Sequence, residues 1–389
     1  MKTKTYVGLD VHRKLVVATA MDPLGKRIRQ SSFGPSPKEL RRFLIRLPKP
    51  TRVVLEACHV WERYYEAALS TGAEVVVSHP SRTRMIAEAS LKTDKVDSAT
   101  LANLLRLDSL PLTYIPPPEI RLLRKIYLER DFYTRARIAL LRHTYARLAE
   151  YGIDYQKALL QHRPQREKLR QHSIPAIDRA LDSIDDLDRT LKGLNAEVHS
   201  AFLSSPDAQL LKTIPGIGEV MAVGIAGYLC PIDRFPNVDK LTSYVGLCPT
   251  THQSGDSLYY GQLKPDVSRR LRSLLVAASW THRVSAPKSD VSKFAHRMIR
   301  RKGRMRATVA SAHKFLRLVH AILKQRRPYL PHAPERPVPK QAVRVSRKRS
   351  AAVSRVKRAS PGSPVAGSRA RRRTKTALNP RKPRPTAMR

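Results

Sequence analysis

Four carboxylates in the first hundred residues stand where an acid is costly or where two acids share a face. Asp10 interrupts the apolar strand pattern Tyr6-Val7-Gly8-Leu9-Asp10-Val11. A carboxylate inside a buried-type strand is unfavourable unless it is paired or holds a cation. Glu56 closes Arg52-Val53-Val54-Leu55-Glu56 in the same way. Asp94 and Asp97, in Lys92-Thr93-Asp94-Lys95-Val96-Asp97, are three residues apart and project from one side of a helical turn. Three of the four have ordinary readings: Asp94 as an N-cap, Asp97 as a solvated helix charge, Glu56 as a partner of Arg52 or Arg63. Asp10 is the hardest to explain that way. Taken together, two strand-end acids and a helical pair can converge on hard cations. Mg²⁺ prefers carboxylate oxygens and retained waters. Two such ions about 3.5–4 Å apart stabilise both the attacking and the leaving oxygen of a phosphodiester.

Two further motifs carry chemistry. Leu210-Leu211-Lys212-Thr213-Ile214-Pro215-Gly216-Ile217-Gly218 reads as helix, tight hairpin and new helix. Pro215, Gly216 and Gly218 would let a DNA backbone approach a helix N-terminus with free N–H donors. That is a helix-hairpin-helix signature, which grips phosphate without reading bases. The ordinary alternative is a helix corner whose glycine supplies a positive φ. Ser254-Gly255 is by itself a turn signal. A serine hydroxyl needs activation to attack phosphorus; no histidine–acid pair is evident beside Ser254, although His252 is near in sequence.

The elements that must position these residues follow from periodicity. Thr5–Val11, Leu15–Met21 and Arg27–Phe33 read as strands, with Asp22-Pro23-Leu24-Gly25 turning between the last two. A helix over Pro37–Leu47, a strand at Arg52–Glu56, a helix at Val60–Ser70, a strand at Ala73–Ser78 and a helix over Lys92–Arg106 complete a mixed α/β sheet. Pro116-Pro117-Pro118 closes this domain, since consecutive prolines enter neither a helix interior nor a central strand. Helical patterns over Glu119–Gly152 and Ile177–Phe202 suggest a hairpin or coiled-coil arm, with an ordinary bundle as the alternative. Asp207 to about Gln325 reads as mostly helical. From about Pro328 nearly every residue is Pro, Ala, Ser, Val, Lys or Arg, and only Glu335 is acidic, a composition that predicts a disordered basic tail. The expected domains are residues 1–118, 119–205, 206–325 and 326–389.

The 389 residues carry 74 Lys plus Arg against 31 Asp plus Glu, a formal net charge of +43. Such a surplus repels itself unless something anionic neutralises it, and nucleic acid is the leading partner. No apolar run approaches the roughly 18 residues of a membrane helix. MKTKTYVGLDVHRK reaches an acid too early for a signal peptide. Cys58, Cys230 and Cys248 support neither a disulfide framework nor a zinc site. These features point to a protein of the cytoplasm, associated with the nucleoid.

Gly8-Leu9-Asp10-Val11-His12, Leu55-Glu56-Ala57 and Lys92-Thr93-Asp94-Lys95-Val96-Asp97 resemble the DEDD tetrad of the RuvC-like transposases of bacterial insertion sequences. Leu241–Pro249, Ser254-Gly255 and the helix Arg269–Trp280 resemble that family's C-terminal block, and the motif order is kept from about residue 5 to 325. One departure is Lys264-Pro265-Asp266-Val267-Ser268, where the family carries a Lys-x-Gly turn. The resemblance implies an N-terminal RNase H-like (RuvC-like) domain joined to a C-terminal transposase domain, here mostly α, that carries a serine in a Ser-Gly motif. It further implies Asp10, Glu56, Asp94 and Asp97 as Mg²⁺ ligands, Ser254 as nucleophile, a structured guide (bridge) RNA, and a homo-oligomer, dimer or tetramer. Two rivals remain open: a RuvC-like junction-resolving nuclease in which Ser254 is structural, and a non-enzymatic nucleic-acid scaffold.

Overall fold

The computed structural model describes residues 4–86, 94–254, 257–263 and 268–331, without the side chains at 94–96, 251–254 and 257–260. The predicted basic tail therefore falls, beyond Pro331, outside the described residues. The chain opens as an antiparallel meander of β1 (Thr5–Val11), β2 (Val16–Met21) and β3 (Arg27–Phe33). Helix α1 (Pro37–Ile45) leads to β4 (Thr51–Glu56), and α2 (Trp61–Leu69) to β5 (Glu74–Ser78). Then come α3 (Pro80–Ile86), α4 (Asp94–Arg106) and the two-residue β6 (Leu112–Thr113). The sheet order is β3-β2-β1-β4-β5-β6, with β1, β4 and β5 parallel and the others antiparallel. The expected mixed α/β sheet is present.

Side chains alternate across a strand, and here the alternation separates two cores. Val7 and Leu9, Val53 and Leu55, and Val75 and Val77 pack with Leu40, Phe43 and Leu44 of α1 and Tyr64 and Ala68 of α2. The residues between them, Tyr6, Val54 and Val76, meet Leu101 and Leu105 of α4 on the opposite face. Asp10 and Glu56 belong to this second set.

Helix α5 (Pro118–Glu150) starts at the proline run, with Pro117 as its N-cap. Its 33 residues extend about 50 Å at 1.5 Å each. After α6 (Arg163–Leu169), α7 (Pro175–Leu203) returns along it, and Leu141, Leu148, Leu160, Leu169, Ile177, Leu181 and Ile184 form a separate small core. Arg166 is buried beside that core. Its Nη2 donates to Asp185 Oδ1 at 2.7 Å and Asp188 Oδ2 at 2.6 Å, and its Nη1 to the Leu160 carbonyl at 3.0 Å. Arg137 also pairs with Asp188. Removing the guanidinium takes one partner from each carboxylate, leaving Asp185 to Arg170 and Asp188 to Arg137, and leaves the Leu160 carbonyl without its donor. Arg166→Met is therefore expected to destabilise the protein by on the order of 3 kcal/mol. A chemical-denaturation midpoint equal to that of the parent would show that this ion cluster contributes nothing.

The C-terminal part holds α8 (Pro206–Lys212), α9 (Glu219–Leu229), α10 (Val238–Val245), the hairpin β7 (Pro249–Ser254) and β8 (Ser257–Leu263), α11 (Arg269–Ser285) and α12 (Asp290–Gln325). Helix α9 is buried from Ala222 to Leu229 and is the centre of the largest core, with Leu271 and Leu275 of α11 and Phe315 and Leu316 of α12. Among the described residues no helix is long and apolar enough to cross a membrane.

Candidate active site

In the parallel pairing of β1 with β4, Gly8 lies opposite Val54 and Leu9 opposite Leu55. Continuing that register sets Asp10 beside Glu56 at the carboxyl edge of the sheet, both on the face that α4 covers. Asp10 is 16% exposed, and His12 Nε2 lies 3.0 Å from its Oδ2. Arg52 is engaged by Glu74 at 2.8 Å and Asp108 at 3.3 Å, and Arg63 donates to the Pro35 carbonyl at 3.2 Å. The two arginines nearest Glu56 in sequence thus have other partners.

Helix α4 is brought to this edge by a missing side chain. A Cβ at Gly8 would stand 2.1 Å from the Ser98 carbonyl oxygen and 2.5 Å from the Ala102 nitrogen. The helix backbone therefore crosses β1 at a distance only glycine permits. Further along α4, Leu105 shares the cluster of Tyr6, so the helix runs towards the start of β1 and its first turn faces the carboxyl edge. Asp97 lies in that first turn. A buried hydrogen bond of 2.8 Å joins Ser98 Oγ to Thr19 Oγ1, which also accepts from Gln30 Nε2 at 3.0 Å, stitching α4 to β2 and β3. Gly8→Ala must displace α4 and is expected to cost on the order of 1–3 kcal/mol, with loss of strand cleavage. A variant with unchanged denaturation midpoint and unchanged cleavage would overturn this placement of α4.

The donor set is all oxygen, which suits a hard divalent cation. Among the described residues no three acids, histidines or cysteines gather closely enough to hold one. The fourth acid, Asp94, begins α4 with its backbone, and its side chain lies outside the described residues, as do Lys92 and Thr93.

Ser254 ends β7 in register with Ser257 of β8, at the tip of the hairpin. Gly255, Lys264–Val267 and the side chains of His252 and Ser254 lie outside the described residues. The sequence reading of this part as mostly helical holds except here. Thr250-Thr251-His252 and Leu258-Tyr259-Tyr260 are rich in β-branched and aromatic residues and form strands.

The turn between α8 and α9 contains Pro215, Gly216 and Gly218. Gly216 has φ +88°, and a Cβ there would meet the Thr281 and His282 backbone of α11 at 2.6 Å. Buried His282 donates from Nδ1 to the Pro215 carbonyl at 2.8 Å. Gly216 thus has a packing reason to be glycine. Gly218, with nothing within 4 Å of a built Cβ, faces open space. Glu219, in the first turn of α9, accepts from Lys212 at 2.6 Å and lies 2.9 Å from His199 Nδ1; these partners hold its carboxyl below the usual range.

Sequence reasoning missed the roles of Gly8, Thr19 and Ser98. The signal for Gly8 was present: a glycine inside an apolar strand marks a close approach of another element.

Residues 7–153 match the profile of DEDD transposases of the IS110 type. Residues 208–306 match the profile described as the transposase IS116/IS110/IS902 family. The chain is similar to the transposase for insertion sequence element IS1111A of Coxiella burnetii, 22% identical over 85% of this chain and 92% of the relative. It is also similar to the transposase for IS1328 of Yersinia enterocolitica, 21% identical over 84% and 98%. A pilin gene-inverting protein of Moraxella lacunata is 27% identical over 42% of this chain and 53% of the relative. The fold and these matches define a transposase, an enzyme that acts on DNA. More narrowly, the chain belongs to the IS110/IS116 family of insertion-sequence transposases, whose DEDD type works with a divalent metal ion.

Proposed function

We propose that this transposase cleaves and rejoins DNA at the ends of its insertion sequence through a serine-linked intermediate. The observation that carries the reading is the adjacent register of Asp10 and Glu56 on the face covered by α4, with Asp97 in the first turn of that helix. The meander β1–β3 followed by parallel β4 and β5 supports an RNase H-like domain over residues 1–118. The α5–α7 pair supports a coiled-coil arm over 119–205, followed by a serine-bearing domain over 206–325 and a basic tail over 326–389. The turn at Pro215, Gly216 and Gly218 is read as a helix-hairpin-helix contact to the DNA backbone, with Gly218 as its open side.

In this reading Asp10, Glu56, Asp94 and Asp97 hold Mg²⁺, which when bound stabilises charge on the reacting phosphate oxygens. The Ser254 hydroxyl gives up its proton as Oγ bonds to the scissile phosphorus. The bond from phosphorus to the leaving deoxyribose oxygen breaks, and that oxygen takes up a proton. Attack by a new DNA hydroxyl on the phosphoserine reverses these steps and needs no ATP, because the bond energy is kept in the ester. Asp10 is oriented by His12. The chain works as a homo-oligomer, and base pairing with a structured guide RNA chooses the sequence. DNA inversion and element transposition, named for the relatives, both require cutting followed by rejoining.

The test is to react the full-length protein with duplexes carrying the element ends and quench with denaturant. A DNA strand covalently attached to the protein is the expected product. Cut strands without any adduct would replace this reading by a junction-resolving nuclease.

A further inference from the structure

Helix α12 is broken once. At Gly303 the backbone takes φ +75° and ψ 167°, outside the helical region, while both arms on either side remain helical. Around the bend stand Arg300, Arg301, Lys302, Arg304 and Arg306, all exposed. Among the described residues none of the five has a carboxylate within salt-bridge distance, in contrast to Arg166 with Asp185 and Asp188. Met305, between two of the arginines, is 85% exposed. The arms are anchored below the bend: Ala295, Ile299 and Ala307 close on Trp280 and Arg283 of α11, and Arg283 stacks on the Trp280 ring at 3.9 Å.

A solvated helix face explains this poorly. In a continuous helix these side chains would point around most of the circumference, and cations four apart would repel. The bend requires a residue that tolerates positive φ, and no atom lies within 4 Å of a Cβ built at Gly303, so the conformation is not forced by packing. Uncompensated charge on an elbow that packing does not impose is a surface prepared for an anion. Seven residues span roughly 10 Å, a length over which duplex DNA presents about six phosphate charges.

We propose that the Gly303 elbow, through Arg300, Arg301, Lys302, Arg304 and Arg306, is a sequence-independent grip on the phosphate backbone of duplex DNA. It rests on the DNA-cleaving reading only for its choice of partner.

The experiment measures binding of full-length protein to a fluorescent duplex of arbitrary sequence across a salt series. The triple variant Arg301→Ala/Lys302→Ala/Arg304→Ala is expected to flatten the slope of log K against log salt by about 2 to 3, since each lost phosphate contact removes about 0.9. An equal charge removal on α1 and its C-cap, at the exposed Arg41, Arg42 and Arg46, should leave the slope unchanged. Gly303→Ala keeps every charge yet disfavours the bend, and should weaken binding at constant net charge. The thermal midpoint of each triple variant should match the parent or rise. Equal slopes for both triples, or an intact Gly303→Ala, would overturn the proposal. So would a loss confined to structured RNA with duplex binding intact. Because only binding is read, a protein that never forms the serine adduct could still pass, so the two readings fail separately.

Discussion

Asp10→Ala is expected to abolish strand cleavage while leaving the thermal midpoint equal to, or above, that of the parent. Its side chain stands next to Glu56 by register on one face of the sheet, at an edge with little solvent. Like charges so placed disfavour each other's ionisation, so deleting one relieves repulsion in metal-free protein. Its partner His12 is 54% exposed, and a pair so open to solvent on one side contributes little. Catalysis moves the other way. Charge stabilisation at a reacting phosphate contributes several kcal/mol, which corresponds to about a thousandfold or more in rate. Asp10→Asn preserves the shape and removes the charge, and should lose as much. Cleavage of an element-end duplex and a melting curve on the same preparation check both halves. An active Asp10→Ala enzyme would sink the carboxylate site, and an inactive but unfolded one would be resolved by the asparagine variant.

The sheet was legible because its chemistry is local. Thr5–Val11 runs largely apolar, and Arg27–Phe33 follows the Asp22–Gly25 turn that folds it back on β2; both form strands over those residues. Helices α5 and α7 announce themselves by length and by the proline at each start. The hairpin β7–β8 was missed because the polar Thr-Thr-His-Gln-Ser of β7 shows no apolar alternation, and the Leu258-Tyr259-Tyr260 signal of β8 stood alone. Asp10 stood out as an acid in an apolar strand. Its neighbour could not be named from sequence, since β1 pairs with β4 across an intervening meander and helix. Glycines were the weakest signal. Gly8, Gly216 and Gly303 look alike in sequence, yet one admits a helix backbone, one fits a turn against α11 and one bends α12 in open space. Only three-dimensional contacts separate those reasons.

Ser254→Ala separates a recombinase from a nuclease that uses the same acids. Ser254 closes β7 at the tip of a two-stranded hairpin, and the variant is expected to fold and bind duplex DNA as the parent does. If Oγ is the nucleophile, cleavage falls to background, because water at the same position lacks the effective concentration of a tethered hydroxyl. A denaturant quench of the parent then carries a protein-linked strand, and the variant carries none. Ser254→Cys is expected to retain at most a trace, since a thiolate is a strong nucleophile that prefers softer centres than phosphorus. An enzyme that activates water with Asp10 and Glu56 behaves otherwise. Ser254→Ala would still cut at close to the parental rate, and no adduct would be trapped at any time in the reaction. That outcome would remove the serine from the mechanism and leave the carboxylate site in place. Combining Ser254→Ala with Asp10→Ala adds a further check. If both residues serve one step, the double variant should be no slower than either single one, because a reaction already lost cannot be lost twice.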